Sequence, residues 1–174
     1  DIIGIEGRGA AKRAVGKLRA QSYATQRVDL VLDPRVTAEL FLALAPAFYA
    51  DNVLKGKSLF AGKLGQEVAS TCLTLIDNGA LEGGGRCAPF DGEGVASGET
   101  VLIGEGRLRS FLHSSYTARR MGANPTGNAV RGSYHSLPQV GATNLYLKPG
   151  EIGREALISR VSQGLYISEV MGVH

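Results

Sequence analysis

Glycine limits what this chain can fold into. Its 174 residues include 24 glycines, and they gather where a long helix or strand would otherwise run. "LEGGGRCAPFDGEGVASGE", Leu81 to Glu99, holds six glycines in 19 residues, and no regular element fits it. "NPTGNAVRGSYHSLPQVGATNLYLKPGE", Asn124 to Glu151, holds four more, with three of the six prolines and three asparagines. Glycine loses the most backbone freedom on folding, and proline denies a sheet its N–H donor. The second stretch therefore has two plausible strand runs at most. The rest is loop, and loops of that length are functional or disordered.

Regular elements are predicted around these stretches. "GAAKRAVGKLRAQ", Gly9 to Gln21, reads as an amphipathic helix with a basic outer side. "RVDLVL", Arg27 to Leu32, is a β-branched run stopped by "DP" and reads as a strand. Asp33 then caps a helix, Pro34 suits its first turn, and Pro46 bends or stops it near Ala45. A strand is expected over about Thr71 to Asp77, ended by the "NG" turn signal. "TVLIGEGRLRSFLHS" reads as a hairpin turning at "GEG", and "SSYTARRMG" as a short helix with a Ser cap and a terminal Gly. "NLYLK" is a strand, "GREALISRVSQG" a helix closed by Gly164, and "LYISEV" a last strand. Strands outnumber helices without regular βαβ alternation, which predicts an α+β fold with a mixed or antiparallel sheet.

Composition narrows the function classes. Net charge is +3 and the basic residues form no long run with interleaved aromatics, which argues against a nucleic-acid module. The longest apolar run, "LFLALAPAF", is half the roughly 18 residues that a membrane span needs. Cys72 and Cys87 form no CxxC pair, and two cysteines with no signal peptide expected suit a reducing compartment. The chain opens on Asp1 and closes at "SEVMGVH", so it is expected to be a fragment of a longer sequence.

Catalytic motifs are sparse. His113, His135 and His174 lack a second His at helical spacing and lie beside no HExxH pattern. Asp91 and Glu93 in "FDGEG" are two carboxylates two residues apart, a spacing open to acid–base chemistry. The favoured reading is a turn whose carboxylates bind its own backbone N–H groups. No GxSxG elbow and no Walker lysine is present.

Four segments, taken in order, carry a family resemblance. They are "KGKSLFAGKLGQEVAS", "PFDGEGVAS" with "VLIGEGRLRSFLHSSYTARRMG", the Asn124 to Glu151 stretch, and "SQGLYISEVMGVH". Together they resemble the TldD/PmbA (TldD/TldE) family, originally described as modulators of DNA gyrase. The resemblance runs from about Val28 to His174; residues 1–25 resemble the last helix of the family's N-terminal domain. It implies that residues 26–174 are a C-terminal domain, incomplete at its end, with a barrel-like mixed or antiparallel sheet and a few flanking helices. It further implies a cytoplasmic metalloprotease system of two homologous subunits that acts on unfolded peptides, the peptide lying as an added strand.

TldD-like members carry an HExxxH motif on the helix after the "LDP"-type strand end, and bind zinc or iron there. By the resemblance those ligands would fall at or within one residue of Leu42, Ala43 and Ala47, where no donor stands. "FDGEG" and "MGVH" also look more like the PmbA/TldE branch. The implied reading is a subunit without its own metal that pairs with a TldD-like protease, or with itself. Asp91, Glu93, Asn124, Thr126, Gly127, Asn128 and Arg131 are its candidate peptide-binding residues. Their other role would be to tie the loop to its own sheet, and both stay open. The alternative is a metal-dependent peptidase using ligands outside this chain, or Asp91, Glu93, His113 and His135.

Overall fold

The computed structural model describes residues 7, 9–11, 14–16, 18 and 21–172. The helix predicted over Gly9 to Gln21 falls partly outside them.

Strand β1, Asp29–Leu32, leads through Asp33 into helix α1, Pro34–Leu44. The cap forms as the sequence predicts, with Asp33 Oδ1 accepting from the Arg35 amide at 3.0 Å. Asp33 Oδ2 also accepts from the Tyr166 hydroxyl at 2.6 Å. That hydroxyl, then the Arg35 amide, holds the Asp33 carboxyl below its ordinary value of 3.8. Pro46 sits in a turn of 3-10 helix, Ala45–Phe48, before the short helix α2, Ala50–Leu54. A proline has no amide to continue the α ladder, so the helix tightens and ends.

Four strands form the central antiparallel sheet. They are β2, Leu75–Asn78; β3, Glu99–Gly104; β4, Arg107–Leu108; and β7, Leu145–Leu147. Their order is β4-β3-β2-β7, so the sheet is open and β7 is an edge. The hairpin between β3 and β4 turns on Glu105 and Gly106, both at positive φ, 51° and 78°. Two such residues set the twist that matches a tight hairpin. A Cβ on Gly106 would lie 2.5 Å from the Ala69 carbonyl oxygen, so glycine is also required by space. Helix α3, Ser115–Met121, begins on a capping box between Ser114 and Thr117 and ends on left-handed Gly122.

The long Asn124 to Glu151 stretch contains three short strands, where the sequence suggests two at most. Strands β5, Ala129–Val130, and β6, Gln139–Val140, pair with each other ahead of β7. Helix α4, Arg154–Ser159, precedes strand β8, Gly164–Ile167, which pairs parallel with β1. Gly164 therefore does not close the helix. It opens β8, where a Cβ would stand 2.6 Å from the Asp29 carbonyl oxygen, so close strand contact requires it. Strand β2 likewise starts later than Thr71, because Ser70 to Leu73 close a turn through Leu73 N to Ser70 O at 2.9 Å. The architecture is α+β, with two antiparallel sheets, the parallel β1-β8 pair and flanking helices.

The core lies between the helical turn and one face of the central sheet. Phe48, Leu75, Leu102, Leu108 and Leu112 are fully buried, and Phe48 meets Phe60 with ring centroids 4.8 Å apart. Leu112 N donates to Phe48 O at 2.9 Å and Ala50 N to Leu112 O at 3.0 Å. These bonds fix the helical layer beside the sheet.

Candidate peptide-binding site

The candidate residues come together around two loops, and most of their polar atoms are already committed. Asp91 Oδ1 accepts from the amides of Glu93 at 2.9 Å and Val95 at 3.0 Å, and Oδ2 from Ala129 N at 2.9 Å. The first two bonds make the expected turn, and the third clips that turn onto β5. Glu93 Oε2 accepts from Ser115 N at 2.8 Å, satisfying a free amide in the first turn of α3. Neither carboxylate stands ready as an acid–base pair.

Asn128, 2% exposed, donates through Nδ2 to Asp77 Oδ2 at 2.7 Å and Gly141 O at 3.1 Å. Thr126 Oγ1 accepts from His113 N at 2.8 Å and donates to His113 O at 3.2 Å. Gly127 has φ 73°, and a Cβ there would lie 2.5 Å from Ala96 O, so the close approach it permits is to its own chain. Arg131 donates from Nε to Gly92 O and from Nη1 to Ser136 O, both at 2.9 Å. Asn124 is exposed, and its side chain has no hydrogen-bond partner among the described residues.

One residue outside the candidate set governs the site. Asp77, in the middle of β2, is 1% exposed. Its Oδ1 accepts from Thr143 N at 2.8 Å, and its Oδ2 accepts from Thr143 Oγ1 at 2.8 Å as well as from Asn128. The sequence signal for it is an acid inside the apolar run "LTLID", since a carboxylate is buried in a strand only where donors meet it. The following residue, Asn144, donates to Asn78 O at 2.8 Å and to Arg86 O at 3.2 Å, and accepts from Arg86 N at 3.0 Å.

The two described histidines, His113 and His135, belong to no metal-holding group. His113 is 4% exposed with Nδ1 buried and unpartnered, and burial lowers its pKa from the ordinary 6.5. His135 is exposed and stacks on Tyr134, ring centroids 3.7 Å apart. Asp91, Glu93, His113 and His135 form no metal-holding group; among the described residues no three His, Cys, Asp or Glu side chains do.

Helix α1 and the 3-10 turn after it present alkyl groups at the positions the resemblance points to. Leu42 is 67% exposed, Ala43 is exposed and Ala47 is half-buried. These side chains offer no nitrogen, sulfur or oxygen donor, so they do not fit a zinc or iron centre. Phe41 and Leu42 of α1, Tyr49, and Leu145 and Tyr146 of β7 instead line a cleft of about 550 Å³. Among the described residues β7 pairs only with β2, so its other side is a sheet edge. No helix among the described residues is long and apolar enough to cross a membrane.

The fold is an open antiparallel sheet with clasped glycine-rich loops and a helix beside its half-buried edge strand β7. The family model for the PmbA/TldA metallopeptidase C-terminal domain matches residues 25–174, and the chain belongs to the PmbA/TldD metallopeptidase family. A metalloprotease of Methanothermobacter thermautotrophicus is 40% identical over 163 residues, 92% of this chain and 35% of that protein. A TldD homolog of Haemophilus influenzae is 40% identical over 112 residues, 64% of this chain and 23% of that protein. Among solved structures, a putative modulator of a DNA gyrase from Thermotoga maritima superimposes with a TM-score of 0.87 at 32% identity. That match covers 95% of this chain and 37% of the other. TldE from Thermococcus kodakarensis superimposes with a TM-score of 0.80 at 29% identity, covering 95% of this chain and 38% of the other. The chain thus spans about a third of the length of the relatives it matches over nearly all of its residues.

Two outcomes follow from these contacts. Asp77→Ala strands two donors of Thr143 and the Asn128 amide, and is expected to cost about 3 kcal/mol or more in urea unfolding; Asn124→Ala stays within about 0.5 kcal/mol. Equal effects would break the assignment of Asp77 as an anchor. The second concerns pH. The fold keeps His113 neutral while the unfolded chain titrates near 6.5, so the stability it contributes is complete above that value. It is lost as pH falls through the lower folded value. Urea midpoints measured across this range should fall with acid in the wild type and flatten in His113→Gln.

Proposed function

We propose that this chain is a PmbA/TldE-type domain that grips unfolded peptides along β7 and has no metal site of its own. In this reading, hydrolysis belongs to a TldD-like subunit with which the protein assembles as a heterodimer. The observation that carries the reading is an edge strand and a helix that line one cleft, with no metal donor at the positions where the resemblance puts the ligands. Backbone N–H and C=O groups on an edge bind any extended chain, whatever its side chains, which suits unstructured substrates. Phe41 and Leu42 on the other wall supply apolar contact, and Leu42, Ala43 and Ala47 offer no metal donor. The TldD and TldE names among its relatives support membership of a two-subunit assembly. The candidate loop residues act at second hand, by holding β7 and its flanking turns in place. Asn124 and the free nitrogen of Arg131 are the polar groups left to meet a ligand.

Purification of the full-length protein with and without a TldD-like subunit tests this. Peptidase activity that is sensitive to chelation is expected for the TldD-like subunit and the pair, together with no stoichiometric zinc or iron on this protein alone. Chelator-sensitive cleavage of an unfolded peptide by this protein on its own would overturn the proposal.

A further inference from the structure

The cleft beside β7 continues into a second one, and an arginine stands where they join. Arg86 lines both, as do Ala142 and Thr143. The second cleft, about 470 Å³, has an apolar wall that includes Ala88, Phe90 and Val130, with Phe90 60% exposed. Arg131 also lines it.

Both arginines are positioned from below. Asn144 holds the Arg86 main chain at N and at O, so the residue cannot shift along the loop. Its guanidinium makes one long bond, Nη1 to Ala142 O at 3.4 Å. Arg131 is fixed by the carbonyls of Gly92 and Ser136. Carbonyls satisfy N–H donors without neutralising the charge. Among the described residues the ion pairs are Lys55 with Asp51 and Arg107 with Glu67, so neither arginine faces a carboxylate at pairing distance. Asp91 also borders the second cleft, and three backbone amides occupy its oxygens. Two guanidiniums against one engaged carboxylate leave the cleft net positive.

We infer that this cleft receives a carboxylate borne by a peptide whose body lies along β7, with Arg86 as the residue that reads it and an adjoining apolar side chain resting on Phe90. A planar guanidinium with free N–H donors at the rim of an apolar wall matches a carboxylate geometrically and electrostatically. The inference rests on the peptide-gripping reading and adds a chemical preference to it. A free C-terminus and an acidic side chain offer the same group.

Fluorescence anisotropy with short N-terminally labelled peptides ending in Phe-Glu tests it, using the free acid, a C-terminal amide, a Glu→Gln form, and a form with both changes. The wild type should bind the free acid about tenfold or more tighter than the doubly neutral peptide, as expected for a hydrogen bond to a charged group. Added salt should shrink that ratio. Arg86→Gln should bring the ratio close to one while leaving the neutral peptide's affinity in place, and Arg86→Lys should restore part of it. Loss on amidation alone assigns the carboxylate to the C-terminus, loss on Glu→Gln alone assigns it to the side chain, and either result sustains the inference. Equal binding of all four peptides, or a ratio unchanged in Arg86→Gln, overturns it and leaves the peptide grip standing. If no peptide binds the wild type, both readings fall.

Discussion

Three donors converge on the carboxylate of Asp77, and the order of the glycine-rich half of this chain follows from them. A carboxylate removed from water is destabilising unless its oxygens are met by well-placed donors. Here the backbone and hydroxyl of Thr143 and the amide of Asn128 meet them. Those partners lie at two points of the Asn124 to Glu151 stretch, so one group in β2 fixes both limbs of the long loop against the sheet. Between them the chain gains a two-residue ladder, β5 with β6, that would be marginal alone. Beyond Thr143 the chain has no freedom left, and β7 falls into register with β2. Asp91 solves the same problem for the other loop, joining its own turn to β5 through Ala129.

This arrangement reassigns residues that look like ligands. Side chains rich in donors and acceptors, set among glycines, suggest a binding loop, and here most of their polar atoms also hold the loop to its own chain. At the surface stand Asn124, apolar side chains such as Leu42 and Phe90, and the rim where Arg86 lies, beside the half-buried edge strand β7. The same physics explains why the stretch is ordered at all, since each short strand would otherwise leave backbone groups unpaired.

Local chemistry was legible in the sequence and distant pairing was not. Asp33 with Pro34, the Glu105-Gly106 turn and the Ser114 cap act on neighbours within a few residues, so their patterns predict the observed helices and hairpin. The turn-forming role of Asp91 was visible for the same reason. Its bond to Ala129, 38 residues away, was not. Asp77 reaches Asn128 across 51 residues and Thr143 across 66, and nothing in the local spacing of "LIDN" names those partners. Gly164 misled because glycine after a helical pattern usually marks a C-cap; here the tight contact with Asp29 in a parallel pair accounts for it. The motif segment shows the converse: the residues at Leu42, Ala43 and Ala47 rule out donors from sequence alone, but only the fold shows that Leu42 lines a cleft shared with the edge strand β7.

Amide hydrogen exchange on this chain measures the central claim directly. If Asp77 and Asp91 pin the glycine-rich loops, the amides of Thr143 and Ala129 will exchange as slowly as those paired between β2 and β3, because all open in one cooperative unit. Exchange of Thr143 and Ala129 at the rate of the exposed Tyr134 and His135 amides, with the sheet still protected, would contradict the account.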